Sequence, residues 1–175
     1  MPGTKGFEEA FRESPDAAIL MTDKEDVRML YWTAVAWAAS ISIDKTNMEA
    51  IGDLPYVSLL IDRALELDPE WDHGSLQSFM ITFATSRQDL EMAPEEAARL
   101  YYSRALELSH GYQAGVHVAL AESVAIPNQN KAEFKALMDK ALEVDVNKRV
   151  EWRLLNILMQ RRAQWLLSRQ DELFF

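Results

Sequence analysis

This chain contains no cysteine. Disulfides, thiol catalysis and Cys-ligated zinc are therefore excluded, and the redox compartment stays open. Glycine and proline number six each in 175 residues. That leaves little room for an all-β fold with a turn every few residues. Three histidines, His73, His110 and His117, share no metal-ligand spacing, and no HExxH motif occurs. No glycine-rich phosphate loop follows a strand-like run, and no catalytic constellation stands out, so the sequence predicts no catalytic residue, no metal and no cofactor. Basic residues are outnumbered 18 to 28, for a formal charge of −10, which argues against nucleic acid. The longest apolar run, Met29 to Ile43, is interrupted by Thr33, Ser40 and Ser42 and is too short to span a bilayer as a helix. No secretory h-region follows Met1.

What the chain does have is an apolar content of 49% beside 26% charged residues, the balance of a folded protein with a real core. One short segment also occurs three times. Leu60-Ile61-Asp62-Arg63-Ala64-Leu65-Glu66-Leu67 is followed by Tyr101-Tyr102-Ser103-Arg104-Ala105-Leu106-Glu107-Leu108 and by Leu137-Met138-Asp139-Lys140-Ala141-Leu142-Glu143-Val144. The copies start 41 and then 36 residues apart. In each, the first, second, fifth and eighth residues are apolar, one face of a 3.6-residue helix. The fifth is always Ala, small enough to let a neighbouring helix approach. The fourth is always basic and the seventh always acidic, which places both toward water.

A period of this length is the signature of stacked antiparallel helical hairpins of tetratricopeptide size. The expectation is an all-α, tetratricopeptide-like solenoid forming a single domain over residues 1–175. Residues 1–22 read as an N-terminal extension with a short helix around Phe7, Ala10 and Phe11. Thr22 or Asp23 caps a central helix that ends near Ile43 and is apolar nearly all round. Asp53 caps a helix with Pro55 in its first turn. Later helices are expected from about Asp72 to Ser86, from Pro94 to Leu108, from Tyr112 to Val124, and after the cap Asn130. Asn147 opens a long C-terminal helix over residues 147–175, which closes the end of the stack. That last segment carries six Lys/Arg against three Asp/Glu, so a basic helix sits on an acidic body.

Aromatic side chains on these helices suggest surfaces for binding. Trp32, Phe79, Phe83, Tyr101 and Tyr112 are the candidate lining of a ligand or partner groove, although helical spacing suits a core equally well. Arg161, Arg162 and Trp165 on the last helix are the candidate oligomer contact.

Three segments resemble those of one family. Ala121-Glu122-Ser123-Val124-Ala125-Ile126-Pro127-Asn128-Gln129-Asn130-Lys131-Ala132-Glu133-Phe134 is similar to the loop motif of the TRAP-transporter T-component family. Gln160 to Arg169 resembles its C-terminal helix, and Tyr31-Trp32-Thr33-Ala34-Val35-Ala36-Trp37 its central apolar helix. The resemblance implies a non-enzymatic, tetratricopeptide-like periplasmic lipoprotein that accompanies a tripartite ATP-independent periplasmic transporter. It implies association with the solute-receptor (P) component, a symmetric homo-oligomer with a trimer as the expected state, and a small organic or apolar ligand. The sequence departs from the pattern in lacking a lipobox cysteine and signal peptide, so lipid anchoring is expected of the full-length precursor. The alternative is a general tetratricopeptide-like adaptor that holds a peptide in its groove.

Overall fold

The computed structural model describes the backbone of residues 4–44 and 46–175, with side chains from residue 6 on. Residues 1–3 of the expected N-terminal extension lie outside the described residues. All regular structure among the described residues is helical. The chain forms two compact units, residues 1–71 and 72–175.

The first unit contains α1 (Thr4–Glu13), α2 (Pro15–Ile19), α3 (Val27–Ile43), α4 (Met48–Ile51) and α5 (Leu54–Leu67). Ser14 separates α1 from α2, because the following Pro15 disfavours helical backbone before it and then serves as a first-turn residue. A 3₁₀ turn, Lys24–Asp26, leads into α3. Asp23 caps it as expected, with its carboxylate accepting from the Glu25 amide at 2.9 Å while Asp26 accepts from the Asp23 amide at 3.0 Å. Helices α3 and α5 pack along their lengths, burying Leu30, Ala34, Leu60, Ile61 and Ala64. Arg63 ties the loop before α3 to α5 by donating to the Thr22 carbonyl at 2.8 Å.

Two local expectations fail here. Asp53 stands before α5, but its side chain makes no cap; it accepts instead from the Trp37 indole N–H at 3.3 Å. A tertiary partner has replaced the local one. Helix α3 is also not enclosed on all sides, since Trp32 is 56% exposed and Ile43 86% exposed. Its buried residues are Val27, Leu30, Ala34 and Ile41, a single stripe.

The second unit contains most of α6 (Trp71–Phe83), then α7 (Pro94–Ser109), α8 (Ala114–Leu120), α9 (Lys131–Glu143), α10 (Arg153–Ser168) and α11 (Gln170–Leu173). Asp72, His73 and Gly74 are left-handed in succession, with φ of 48°, 55° and 92°. Left-handed backbone is ordinary for glycine and costly for the other two. Helix α7 ends at His110 and Gly111, both with positive φ, and the Gly111 amide returns to the Leu106 carbonyl at 3.0 Å. The helix begun by α8 continues as a π-turn, Ala121–Ala125. Asn130 caps α9, accepting from the Glu133 amide at 3.1 Å. The long last helix is interrupted. Asn147 sits in a turn, a 3₁₀ turn at Val150–Trp152 follows, and Arg169 breaks α10 from α11.

The three sequence copies fall on the last turns of α5, α7 and α9. Ala64, Ala105 and Ala141 are each fully buried. Glu66, Glu107 and Glu143 are exposed, and two of them pair with the basic residue three before them: Arg63–Glu66 at 3.1 Å and Arg104–Glu107 at 2.6 Å. The Ala105 position leaves no room for a larger side chain. Ala105→Leu should destabilise the chain by roughly 1–3 kcal/mol through overpacking. An unchanged thermal midpoint would show that the helix crossing at Ala105 is not close-packed.

Polar side chains on α10 and α7 tie together the helices of the second unit. Asn156, 1% exposed, accepts from the Ala114 amide at 2.9 Å and donates to the Tyr112 carbonyl at 2.8 Å. Gln160 donates to the Ala141, Leu142 and Val144 carbonyls at 2.8–3.1 Å, satisfying the free C-terminal end of α9. Arg99 of α7 donates to Glu95 at 2.8 Å and to Glu133 at 2.5 Å, linking the first turns of α7 and α9. The Arg99 guanidinium holds the Glu133 carboxyl below its ordinary pKa. Both carboxylates also lie at helix N-termini, where negative charge is favoured.

Candidate functional site

The sequence singled out five aromatic residues for a groove, and they divide between the two units. Trp32 lies in the first; Phe79, Phe83, Tyr101 and Tyr112 lie in the second. Each set is described within its own unit.

In the first unit, α1, α3 and α5 bring aromatic rings together around an open cleft. Trp37 stacks on Tyr56 with ring centroids 5.7 Å apart. Phe11 meets Tyr56 edge-on at 6.0 Å, and Phe7 lies 5.6 Å from Phe11. Beside them is a cleft of about 520 Å³, lined by Phe7, Phe11, Met29, Thr33 and Trp37, with Arg12 and Glu8 at its polar side. Trp32 stands one helical turn from Arg28 and Ala36 on the exposed face of α3 and touches Tyr31 edge-on at 5.1 Å. Arg12 donates to Glu8 at 2.8 Å, so the cleft has apolar walls with a compensated ion pair at its edge.

In the second unit the four aromatic residues are mostly structural. Phe83 is 5% exposed and stacks on the half-buried Phe79 at 5.2 Å. Tyr101 is half-buried against the core, and Tyr112 is half-buried with its carbonyl held by Asn156. Beside Tyr101, the Tyr102 hydroxyl hydrogen-bonds His117 Nδ1 at 2.9 Å. Burial, with a smaller contribution from the Lys140 charge, pushes the His117 pKa down to about 4. His117 is thus a neutral core residue with a satisfied ring nitrogen.

The last helix presents a different surface. Leu154, Leu155, Leu158 and Trp165 are 71%, 50%, 47% and 46% exposed. Their spacing of three, four and seven residues puts them on one face of α10. Arg162 lies 4.4 Å above the Trp165 ring and Arg169 5.3 Å from it. Arg162 is positioned in turn by Glu122, at 2.5 Å. Arg161 is exposed on the same helix. Of the three oligomer-contact residues expected from sequence, Arg162 and Trp165 meet in one cluster. Leu154, Leu155 and Leu158 extend the exposed face.

Among the described residues no group of three or more His, Asp and Glu side chains converges as a metal site, and no helix is long and apolar enough to cross a membrane. The polar clamps Asn156, Gln160 and Gln129 were not legible in the sequence, because each partner lies far away in the chain or on another helix.

The sequence of an uncharacterised protein of Treponema pallidum (strain Nichols) is 24% identical over 149 residues. The match covers 85% of this chain and 46% of that protein, so the chain spans about half the length of this relative. The family model for the TRAP transporter T-component matches residues 2–174. The match takes in the central helix, the loop before α9 and the last helix alike, and on that extent this chain belongs to the TRAP-transporter T-component family.

Proposed function

We propose that this chain is a non-enzymatic helical scaffold of the periplasm. It is an accessory component that associates with the solute-receptor (P) component of a TRAP transporter, and its full-length precursor is lipid-anchored. It self-associates through the outer face of α10, with a trimer as the expected state. A small organic or apolar ligand enters the cleft of the first unit beside Phe11 and Trp37.

The observation that carries this reading is the α10 face. Three leucines and a tryptophan held between two arginines are exposed together. Tryptophan and arginine dominate protein-binding energetics, and an exposed apolar patch rimmed by charge marks a contact surface. The net positive charge of residues 147–175 complements the acidic remainder of a second copy or an acidic receptor surface.

Sedimentation of the full chain at micromolar concentration tests the self-association. The expected result is an oligomer that Leu158→Asp converts to monomer while the helical circular dichroism at about 25 °C stays unchanged, because Leu158 is exposed. A wild-type chain that sediments only as monomer overturns it. Co-purification with a TRAP solute-receptor (P) component of the same organism is the matching test for the partner. Failure of the two proteins to co-elute at tens of micromolar overturns that half of the reading.

A further inference from the structure

The loop Pro127-Asn128-Gln129-Asn130 follows the π-turn and makes three unlike side-chain contacts in succession. Asn128 donates to Glu95 at 2.7 Å, and Asn130 caps α9. Gln129 does something else. Its backbone is left-handed, with φ of 55°, and its side chain turns toward the C-terminal tail. The Gln129 Nε2 amide donates to the Leu173 carbonyl at 3.0 Å, and Gln129 Oε1 accepts from the Phe175 amide at 3.2 Å. The residue between these two bonds, Phe174, is extended, with φ −127° and ψ 132°. Its ring is buried, 5.1 Å from Phe134 in the core of the second unit. Lys131 pairs with Asp171 just upstream at 3.3 Å.

This geometry is that of peptide recognition. One primary amide takes the carbonyl and the N–H on either side of a residue, as a neighbouring parallel strand would. That reads backbone and is indifferent to sequence. A single apolar pocket then takes the intervening side chain and supplies the selectivity. The π-turn and the left-handed Gln129 both depart from regular helix, and such departures cluster where a fold presents a group to a ligand. Gln129 itself is exposed, so release of residues 173–175 leaves its amide solvated and not stranded.

We propose that Gln129 and the Phe134 pocket form a docking site for an extended, aromatic-bearing peptide segment, and that residues 173–175 of this chain occupy it as a releasable intramolecular ligand. The bound tail is held by effective concentration as much as by contact strength, so a free peptide competes poorly with it until the cis anchor is weakened. Loss of the Phe174 ring vacates the pocket, and loss of the Gln129 amide removes the backbone bracket.

The test uses the full chain carrying Phe174→Ala and a fluorescent peptide, capped at both ends, of the sequence Gln-Asp-Glu-Leu-Phe-Phe. The expected result is saturable binding with Kd below about 1 mM, weakened at least tenfold when Gln129→Ala is added. No binding to the Phe174→Ala chain, or equal binding with and without Gln129, overturns the proposal. Hydrogen exchange decides the case should Phe174→Ala fail to fold. In the wild-type chain the Phe175 amide should be protected, and Gln129→Ala should raise its exchange rate roughly tenfold while the amides of α9 stay unchanged. An unprotected Phe175 amide in the wild type, or no change in the variant, overturns the proposal.

Discussion

Gly74→Ala should destabilise the second unit by roughly 2–5 kcal/mol, combining backbone strain with overpacking. Gly74 has φ of 92°, outside the range an L residue occupies without strain. A Cβ there would also lie 3.0 Å from the Leu108 Cβ and 3.5 Å from the Ala105 Cα. Those atoms belong to the packed end of α7, which cannot retreat cheaply. Gly111 provides the comparison, because its φ is 72° but a Cβ would meet nothing within 4 Å. Gly111→Ala should therefore cost only the strain, about 1 kcal/mol. Urea unfolding of both variants separates the contributions. Equal losses would mean that the approach of Gly74 to Leu108 is not close-packed in solution.

The second large effect is an acid-side loss of stability from His117. In the unfolded chain its imidazole titrates near its ordinary pKa of about 6.5. In the folded chain burial lowers that pKa to about 4. Between those two values the unfolded state holds a proton that the folded state lacks, so stability falls as pH falls. The contribution is fully present above about pH 6.5 and has been lost by about pH 4, amounting to roughly 2–4 kcal/mol. Carboxylates held below their ordinary pKa by hydrogen bonds to arginine, Asp89 and Glu133 among them, add their own losses at lower pH. His117→Gln removes the titration while keeping a polar partner for Tyr102. Its unfolding free energy should vary less than that of the wild type between pH 7 and pH 4.5. Identical slopes for the two proteins would show that His117 is protonated without opening the core.

The repeat was legible because a buried helix face demands apolar residues at fixed spacing and a small one where helices cross. Ala64, Ala105 and Ala141 obey that demand wherever the rest of the unit sits. Helix starts that depend on the neighbouring few residues, at Asp23 and Asn130, were equally readable. The cap expected at Asp53 failed because Trp37, sixteen residues earlier, competes for the same carboxylate. The continuous last helix failed because the pattern of apolar residues does not record a turn at Asn147 or a break at Arg169.

The candidate surfaces follow the same division. Trp32 and Phe83 are both candidate groove lining by sequence; Trp32 is exposed, whereas Phe83, on an equally apolar helix, is in the core. Hydrophobic spacing identifies a stripe on a helix but not what covers it. Coverage depends on which helix packs against that stripe, and that is settled by contacts between residues distant along the chain. Leu154, Leu155 and Leu158 show the same ambiguity, since they form an apolar stripe that faces outward.

All-helical class, the register of the repeated helices and the absence of thiol chemistry are local or compositional properties, carried by one residue or one helical turn at a time. The aromatic cleft of the first unit, the neutral His117–Tyr102 pair and the Gln129 bracket on the tail each need two or more elements brought within a few ångströms. Hydrogen bonds and close packing act only at that range, so these features exist only once the chain has folded.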